Sequence, residues 1–252
     1  MKRALRTAVA ELHIEAGWAA FDVGLYRRAL YHYARVLELA IEAKDVYLQA
    51  LALNYAGITT VEHGEPNDGF KLLQLGRVKA WDIPPDDQRA VVVGEQGRAA
   101  VEATALADSA TAQADLGHLA AADTDLATAR QLWRPTRSDP YGDLDRPAAE
   151  LAMRRGRLDL AETLAAASVR RWEGGSLVGR TNSGILLATI HVKVGEPDGL
   201  RLAHSAITSV SKLSSHRARR RLEPLIAALE ARPGSDEKEL GGMARQVTAT
   251  RT

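Results

Sequence analysis

Five glycines, each at the end of one helical stretch and just before the next, constrain the fold of this chain more than any other feature. A small residue follows each glycine early in the second helix, so every hairpin repeats the same order of residue types. Helices joined by so short a turn pack as antiparallel hairpins. The turn glycines are Gly24, Gly64, Gly117, Gly156 and Gly195. Three of the four intervals are about 40 residues, a period that predicts a helical-repeat solenoid.

Helical periodicity within these hairpins supports the same architecture. The second helix of the first hairpin carries one apolar stripe that needs a neighbouring helix to cover it: Tyr26, Leu30, Tyr33, Leu37 and Ile41. Asp45 is placed to cap the next helix, and Pro66 to open the one after it. Ser214 or Ser215 is placed to cap a last helix that ends near Ala231 and covers the final apolar face.

These patterns predict one repeat domain over residues 4–231. The segment 232–252 is polar and is interrupted by Gly241 and Gly242. A segment of that composition buries too little apolar surface to offset the entropy lost on ordering. We therefore expect it to be a disordered tail.

Composition limits the partners and the chemistry. The net charge is +1, so no whole-protein field attracts nucleic acid or an anionic membrane. The chain has no cysteine, which excludes disulfides and thiolate metal sites and fits a cytoplasmic protein. A membrane-spanning helix needs about 18 consecutive apolar residues, and no apolar run in the sequence approaches that length. The basic run 216–221 is expected to be a solvated face or a cap on neighbouring acids.

Catalytic and metal-binding motifs are missing from the sequence. The seven histidines show no metal-binding spacing, which favours surface or packing roles. The chain contains no glycine-rich phosphate loop, no nucleophile elbow and no dinucleotide fingerprint. We therefore expect neither an enzyme, nor a metal, nor a cofactor.

The spacing of small residues resembles the tetratricopeptide repeat. That family places a small residue at its eighth position, a glycine at its fifteenth and a small residue at its twentieth. The first two hairpins fill these places with Gly17, Gly24 and Ala29, and with Gly57, Gly64 and Gly69. The later hairpins use Ala110, Gly117 and Ala122, then Ala149, Gly156 and Ala161, then Ala188 and Gly195, with Gly199 one position early. The resemblance implies an all-α, right-handed α-solenoid of about five tetratricopeptide-like hairpins plus a capping helix.

The same resemblance implies a ligand-binding groove lined by the first helix of each hairpin. Carried over position by position, the groove residues are Ile14, Trp18, Phe21, Asp22, Asn54, Ile58, Glu62, Arg146, Glu150, Arg154, Thr189 and Lys193. The amide of Asn54 would both donate to and accept from a peptide backbone. Equally, Trp18 and Phe21 fit a role in the core between repeats.

Longer phrases resemble the C-terminal region of actinobacterial helix-turn-helix regulators of the XRE type. They are AGWAAFDVG (16–24), YLQALALNYAG (47–57), PNDGFKLLQLG (66–76), ADSATAQADLG (107–117), RRWEGGS (170–176) and SSHRARRRLEPL (214–225). The sequence shows no DNA-binding module before Ala4. The resemblance therefore implies the effector half of a regulator, which binds a peptide, a protein segment or a small signal molecule and forms a homodimer.

Two alternatives remain open at the sequence level. One is a free-standing adaptor whose groove holds a partner protein. The other is an enzyme with a helical pocket, in which Asp22, Glu62 or Glu150 supplies acid or base. No motif supports the enzyme, so the regulator is preferred and the adaptor stands second.

Overall fold

The computed structural model describes residues 2–84, 97–133 and 143–249, and within them the chain is all-helical with no β-strand. This confirms the predicted all-α class. The sequence also predicts a long helix from about Gln88 to Leu116 and a loop over residues 134–143. The start of that helix and residues 134–142 of that loop lie outside the described residues. The chain divides into two compact units, Met1–Pro147 and Ala148–Thr252, where the sequence predicted one repeat domain.

The N-terminal unit is built from successive helical hairpins. Its helices are α1 (Lys2–Asp22), α2 (Tyr26–Ala43), α3 (Val46–Glu62), α4 (Pro66–Trp81), α5 (Gly97–Asp115) and α6 (Leu119–Leu132). Helix α1 packs on α2, α3 on α4 and α5 on α6, and α2 also packs on α3. The connections from α1 to α2 and from α2 to α3 are short, so each of these helices runs opposite to the one before it. Helices α1 and α3 therefore run in the same direction.

The described part of the C-terminal unit is also helical. Helix α7 (Asp145–Arg154) begins just before the boundary, and the unit then contains α8 (Leu158–Arg171), α9 (Leu177–Val194), α10 (Gly199–Ser211), α11 (His216–Arg220), α12 (Glu223–Glu230) and α13 (Ser235–Ala249). Alanines on α7 and α8 form one core with Leu186 and Ile190 of α9. A second core joins α9 and α10 to the three C-terminal helices.

The turn glycines behave as the sequence predicts. All five have positive φ angles, from 71° at Gly156 to 97° at Gly64. A side chain in this left-handed region costs about 1–2 kcal/mol, so glycine is favoured where a helix must end this abruptly. The cap predictions are also confirmed, since the Asp45 carboxylate accepts from Leu48 N at 3.1 Å and Pro66 opens α4.

A pair of glycines brings α3 and α4 unusually close. A Cβ atom built on Gly69 would lie 2.7 Å from the carbonyl oxygen of Gly57 and 2.5 Å from Cγ2 of Val61. A Cβ on Gly57 would lie 2.6 Å from Cγ of Leu73. Both glycines occupy small-residue places of the repeat pattern, and the close helix crossing explains why.

The C-terminal tail differs from the prediction. Residues 235–249, expected to be disordered, form α13, and Ala244 on this helix is fully buried. Leu240, Met243 and Val247 recur at helical spacing and pack against the C-terminal core. The stripe is thin, so the polar composition of the segment hid it. The helical part of the chain therefore extends past residue 231, where the repeat domain was predicted to end.

The predicted last helix is also divided in two. Ser215 caps α11, with its hydroxyl accepting from Ala218 N at 3.1 Å, and the helix ends at Arg220. A new helix begins at Glu223, with Pro224 in its first turn. Proline has no backbone N–H to donate to the carbonyl oxygen four residues earlier, and its ring would clash with that carbonyl in a continuous helix, which accounts for the break.

Candidate functional site

The groove positions of the first two hairpins meet where α1 contacts α3. Trp18 of α1 lies with its ring centroid 5.5 Å from that of Tyr55 of α3 and 5.6 Å from that of Phe21. Trp18 keeps 37% of its surface exposed, whereas Phe21 is fully buried. The sequence left open whether Trp18 and Phe21 line a groove or lie in the core between helices. In the structure Phe21 belongs to the core and Trp18 is open to solvent.

An aromatic cluster extends beneath Trp18. It comprises Trp18, Phe21, Tyr26, Tyr33 and Tyr55, with neighbouring ring centroids 5.5–6.0 Å apart. Edge-to-face and tilted contacts at such distances stabilise aromatic pairs by about 0.5–1.5 kcal/mol each. These contacts therefore restrict the orientation of the Trp18 ring.

Two carboxylates lie at the same end of this face. Asp22 is the last residue of α1, Glu62 is the last residue of α3, and both are half-buried. Because α1 and α3 run in the same direction, their C-terminal ends lie on one side. Asp22 follows Trp18 by one helical turn, and Glu62 follows Tyr55 by two. The arrangement combines an aromatic surface with two acidic groups.

Asn54 does not have the position that a peptide-binding amide needs. It is 2% exposed, and its Nδ2 donates to the carbonyl oxygen of Val101 on α5 at 3.2 Å. Its Oδ1 lies against Gly76, where a Cβ would come within 2.0 Å of it. Asn54 joins three helices in the interior, so the predicted role in peptide binding is corrected.

Other predicted groove residues are also interior. Ile14 and Ile58 are each 9% exposed and belong to the N-terminal cores. Thr189 is 1% exposed, and its hydroxyl donates to the carbonyl oxygen of Ile185 at 2.7 Å. These side chains stabilise helix packing and do not present a surface to a ligand.

The predicted positions in the C-terminal region are mostly charged and reachable by solvent. Arg154 and Lys193 are exposed, and Arg146 and Glu150 are half-buried. The structure brings Glu150 of α7 to Arg221, with Oε1 3.7 Å from Nη1. The expectation that the basic run caps a neighbouring acid is confirmed for Arg221.

Two other arginines of the basic run are not solvated. Arg217 is 8% exposed and Arg219 is 9% exposed. The Nη2 atom of Arg219 donates to the carbonyl oxygen of Leu213, just beyond the C-terminal end of α10, at 3.2 Å. A cation at this end also interacts favourably with the helix dipole. Arg219 therefore has a structural role that the sequence analysis did not predict.

A polar network on α4, α5 and α6 was also missed. Arg77 Nε lies 3.3 Å from Glu102 Oε1, and Gln113 donates to Asp125. Burial raises the pKa of Asp125 above its ordinary value, while the Gln113 hydrogen bond and the Arg77 charge act in the opposite direction. Glu102, Ser109 and Gln113 recur on one face of α5. That spacing was the signal available in the sequence.

Two further kinds of site, metal clusters and membrane-spanning helices, concern residues 2–84, 97–133 and 143–249. In these ranges no group of three or more histidine, aspartate or glutamate side chains is arranged to bind a metal ion. None of the helices in these ranges combines the length and the apolar character that crossing a bilayer requires. No protein-family model matches the sequence, and the comparison with curated proteins finds no match.

Proposed function

We propose that this chain is a solenoid of tetratricopeptide-like hairpins that binds a peptide, a protein segment or a small signal molecule on the face formed by α1 and α3. The observation that carries the proposal is the half-exposed Trp18 ring, supported by Tyr55 and by the buried Phe21. Tryptophan and tyrosine are enriched among the residues that contribute most to binding. A ring already held by its neighbours loses little conformational entropy when a ligand covers it.

The charges nearby favour a particular ligand chemistry. Asp22 and Glu62 bring two carboxylates to one end of the aromatic surface. A ligand with an apolar or aromatic group over Trp18 and a cationic group next to these carboxylates complements the face in both respects. We therefore propose a basic, partly apolar peptide segment as the preferred form of the ligand.

In the fuller proposal the chain is the ligand-sensing part of an XRE-type transcriptional regulator. It would act in the cytoplasm as a homodimer and relay occupancy of the α1–α3 face to a DNA-binding domain. The support is the phrase-level resemblance of the sequence to such regulators. The alternative is a free-standing adaptor that binds a partner protein through the same face. An in-frame helix-turn-helix segment upstream of Met1 in the gene distinguishes the regulator from the adaptor, and a monomer in light scattering refutes the dimer.

The test of the binding face uses peptides selected from a random displayed library on the wild-type protein. The selected peptides are then titrated by fluorescence anisotropy against Trp18→Ala and against a matched control, Trp81→Ala. Trp81 is also exposed, at 51%, but lies on α4 outside the α1–α3 contact. Loss of a central aromatic contact costs about 2 kcal/mol or more, so Trp18→Ala should weaken binding about 30-fold.

Two outcomes contradict the proposal. Selected peptides that bind folded Trp18→Ala as tightly as wild type would place the binding face elsewhere. A selection that enriches no peptide, repeated with basic and apolar libraries, would exclude the preferred peptide ligand. The control should bind normally, and its failure would show that loss of any exposed tryptophan disturbs the protein.

A further inference from the structure

Two histidines that are distant in the sequence face each other across the first hairpin. His13 lies on α1 and His32 on α2, and their Nδ1 atoms are 2.8 Å apart. The ring centroids are 5.1 Å apart, with the planes inclined by 46°. Both side chains are half-buried, so solvent reaches them. The two residues are 19 positions apart, so their spacing in the sequence gives no signal of a metal-binding pair.

The two helices are held firmly next to this histidine pair. Gly17 lies one turn after His13, and a Cβ built on it would come within 2.6 Å of Cε1 of Tyr33, the residue after His32. The absence of that Cβ allows α1 and α2 to approach at this point. The Tyr31 ring also packs edge-on against His32, with centroids 5.6 Å apart. The imidazoles are therefore arranged before any ligand arrives.

The separation of the two nitrogens matches that of two ligands on one metal ion. Imidazole nitrogens bind Zn²⁺ and similar divalent transition-metal ions at about 2.0–2.1 Å. Two nitrogens at that distance and at right angles to each other are about 2.9 Å apart, and in a tetrahedral site about 3.3–3.4 Å. The observed 2.8 Å is close to the right-angle value. Square-planar and tetragonal geometry of this kind is preferred by Cu²⁺ and Ni²⁺.

We propose that His13 and His32 bind one divalent transition-metal ion, with Cu²⁺ and Ni²⁺ preferred, through their Nδ1 atoms. Water completes the coordination, because the pair is open to solvent. Magnesium and calcium ions do not bind, since they prefer oxygen ligands. The ion joins α1 to α2, so its binding stabilises the first hairpin.

A positive charge acts on the pair, that of Arg28. Arg28 repels a cation, but it is exposed and screened by salt. The alternative is a hydrogen bond alone, in which one Nδ1–H donates to the other Nδ1.

The test is a titration of the full chain with Cu²⁺ alone, in a buffer that does not bind metals, and the heat of binding is measured by isothermal titration calorimetry. We expect one ion per chain and a rise in the thermal unfolding temperature. His13→Gln and His32→Gln should each weaken binding about tenfold or more, since even loss of an outer-shell partner costs about 10- to 100-fold. His204→Gln is the matched control, because His204 is exposed on α10 in the other unit.

A second measurement does not depend on the variants. The paramagnetic resonance spectrum of Cu²⁺ bound to the wild-type chain should show splitting from two nitrogen ligands. A spectrum with oxygen ligands only would overturn the proposal. So would an affinity unchanged in both histidine variants or equally reduced in His204→Gln, and the 2.8 Å contact would then be a hydrogen bond and nothing more.

Discussion

Gly69→Ala tests whether the repeat glycines are required for the close approach of α3 and α4. The added Cβ would lie 2.7 Å from Gly57 O and 2.8 Å from Val61 N, both backbone atoms. A flexible side chain could rotate away from such a contact, but backbone atoms move only if the helices separate. The cost is therefore expected near the upper end for overpacking, about 3 kcal/mol.

Alanine also has an intrinsic advantage over glycine in a helix. That gain is about 1 kcal/mol, so the expected net loss for Gly69→Ala is about 2 kcal/mol. For a chain of this size, such a loss lowers the melting temperature by about 4–8 °C. The assay is urea unfolding followed by far-UV circular dichroism, with the midpoint and slope fitted together.

Gly184→Ala is the matched control. Gly184 lies within α9, and a Cβ built on it would meet no atom within 4 Å. Only the helix-propensity gain remains, so this variant should be more stable than wild type by about 1 kcal/mol. If Gly69→Ala also gained stability, the argument that a missing Cβ permits the α3–α4 crossing would be refuted.

Two further predictions use the same unfolding assay. Asp45→Ala should lose about 1–2 kcal/mol of stability, because the carboxylate accepts from Leu48 N at 3.1 Å and from Thr7 Oγ1 at 3.3 Å. Asp45→Asn should retain most of the stability, since asparagine also caps helices. Equal losses in both variants would argue against capping. Burial raises the pKa of Asp125, so the folded state binds the proton of this carboxyl group more tightly than the unfolded state does. The resulting stability is fully present below the ordinary pKa of 3.8 and is lost as the pH rises through the raised pKa. Asp125→Asn should therefore gain stability relative to wild type between acid and neutral pH, and parallel pH profiles would contradict this.

The hairpins could be predicted because local chemistry decides where a helix ends. Gly64 takes a φ of 97°, which a residue with a side chain rarely adopts, and Asp45 and Pro66 favour helix starts through their own backbone and side-chain geometry. Such signals act over a few residues. They can be read from the sequence without knowledge of the neighbouring helices.

The partners of individual side chains could not be predicted in the same way. Asn54 bonds to Val101, 47 residues later, and His13 meets His32, 19 residues later. Which residues meet depends on how far each helix is rotated and how closely it crosses its neighbour. A rotation of one residue about the helix axis is 100°, enough to move Asn54 from an exposed face to the interior. Of these two predicted groove residues, Trp18 is exposed and Asn54 is buried.

The C-terminal helix affects how a chain of this kind can change in evolution. Hairpin arrays lengthen when a duplication adds one unit, and each new unit needs an apolar face to stack against. Here α13 covers the core that joins α9, α10 and α12, and Arg232 is anchored by donating from Nη1 to the carbonyl oxygen of Val192 at 2.9 Å. A hairpin inserted after α12 would have to displace α13 from that core. Insertions that keep these contacts must therefore fall outside the segment from α9 to α13.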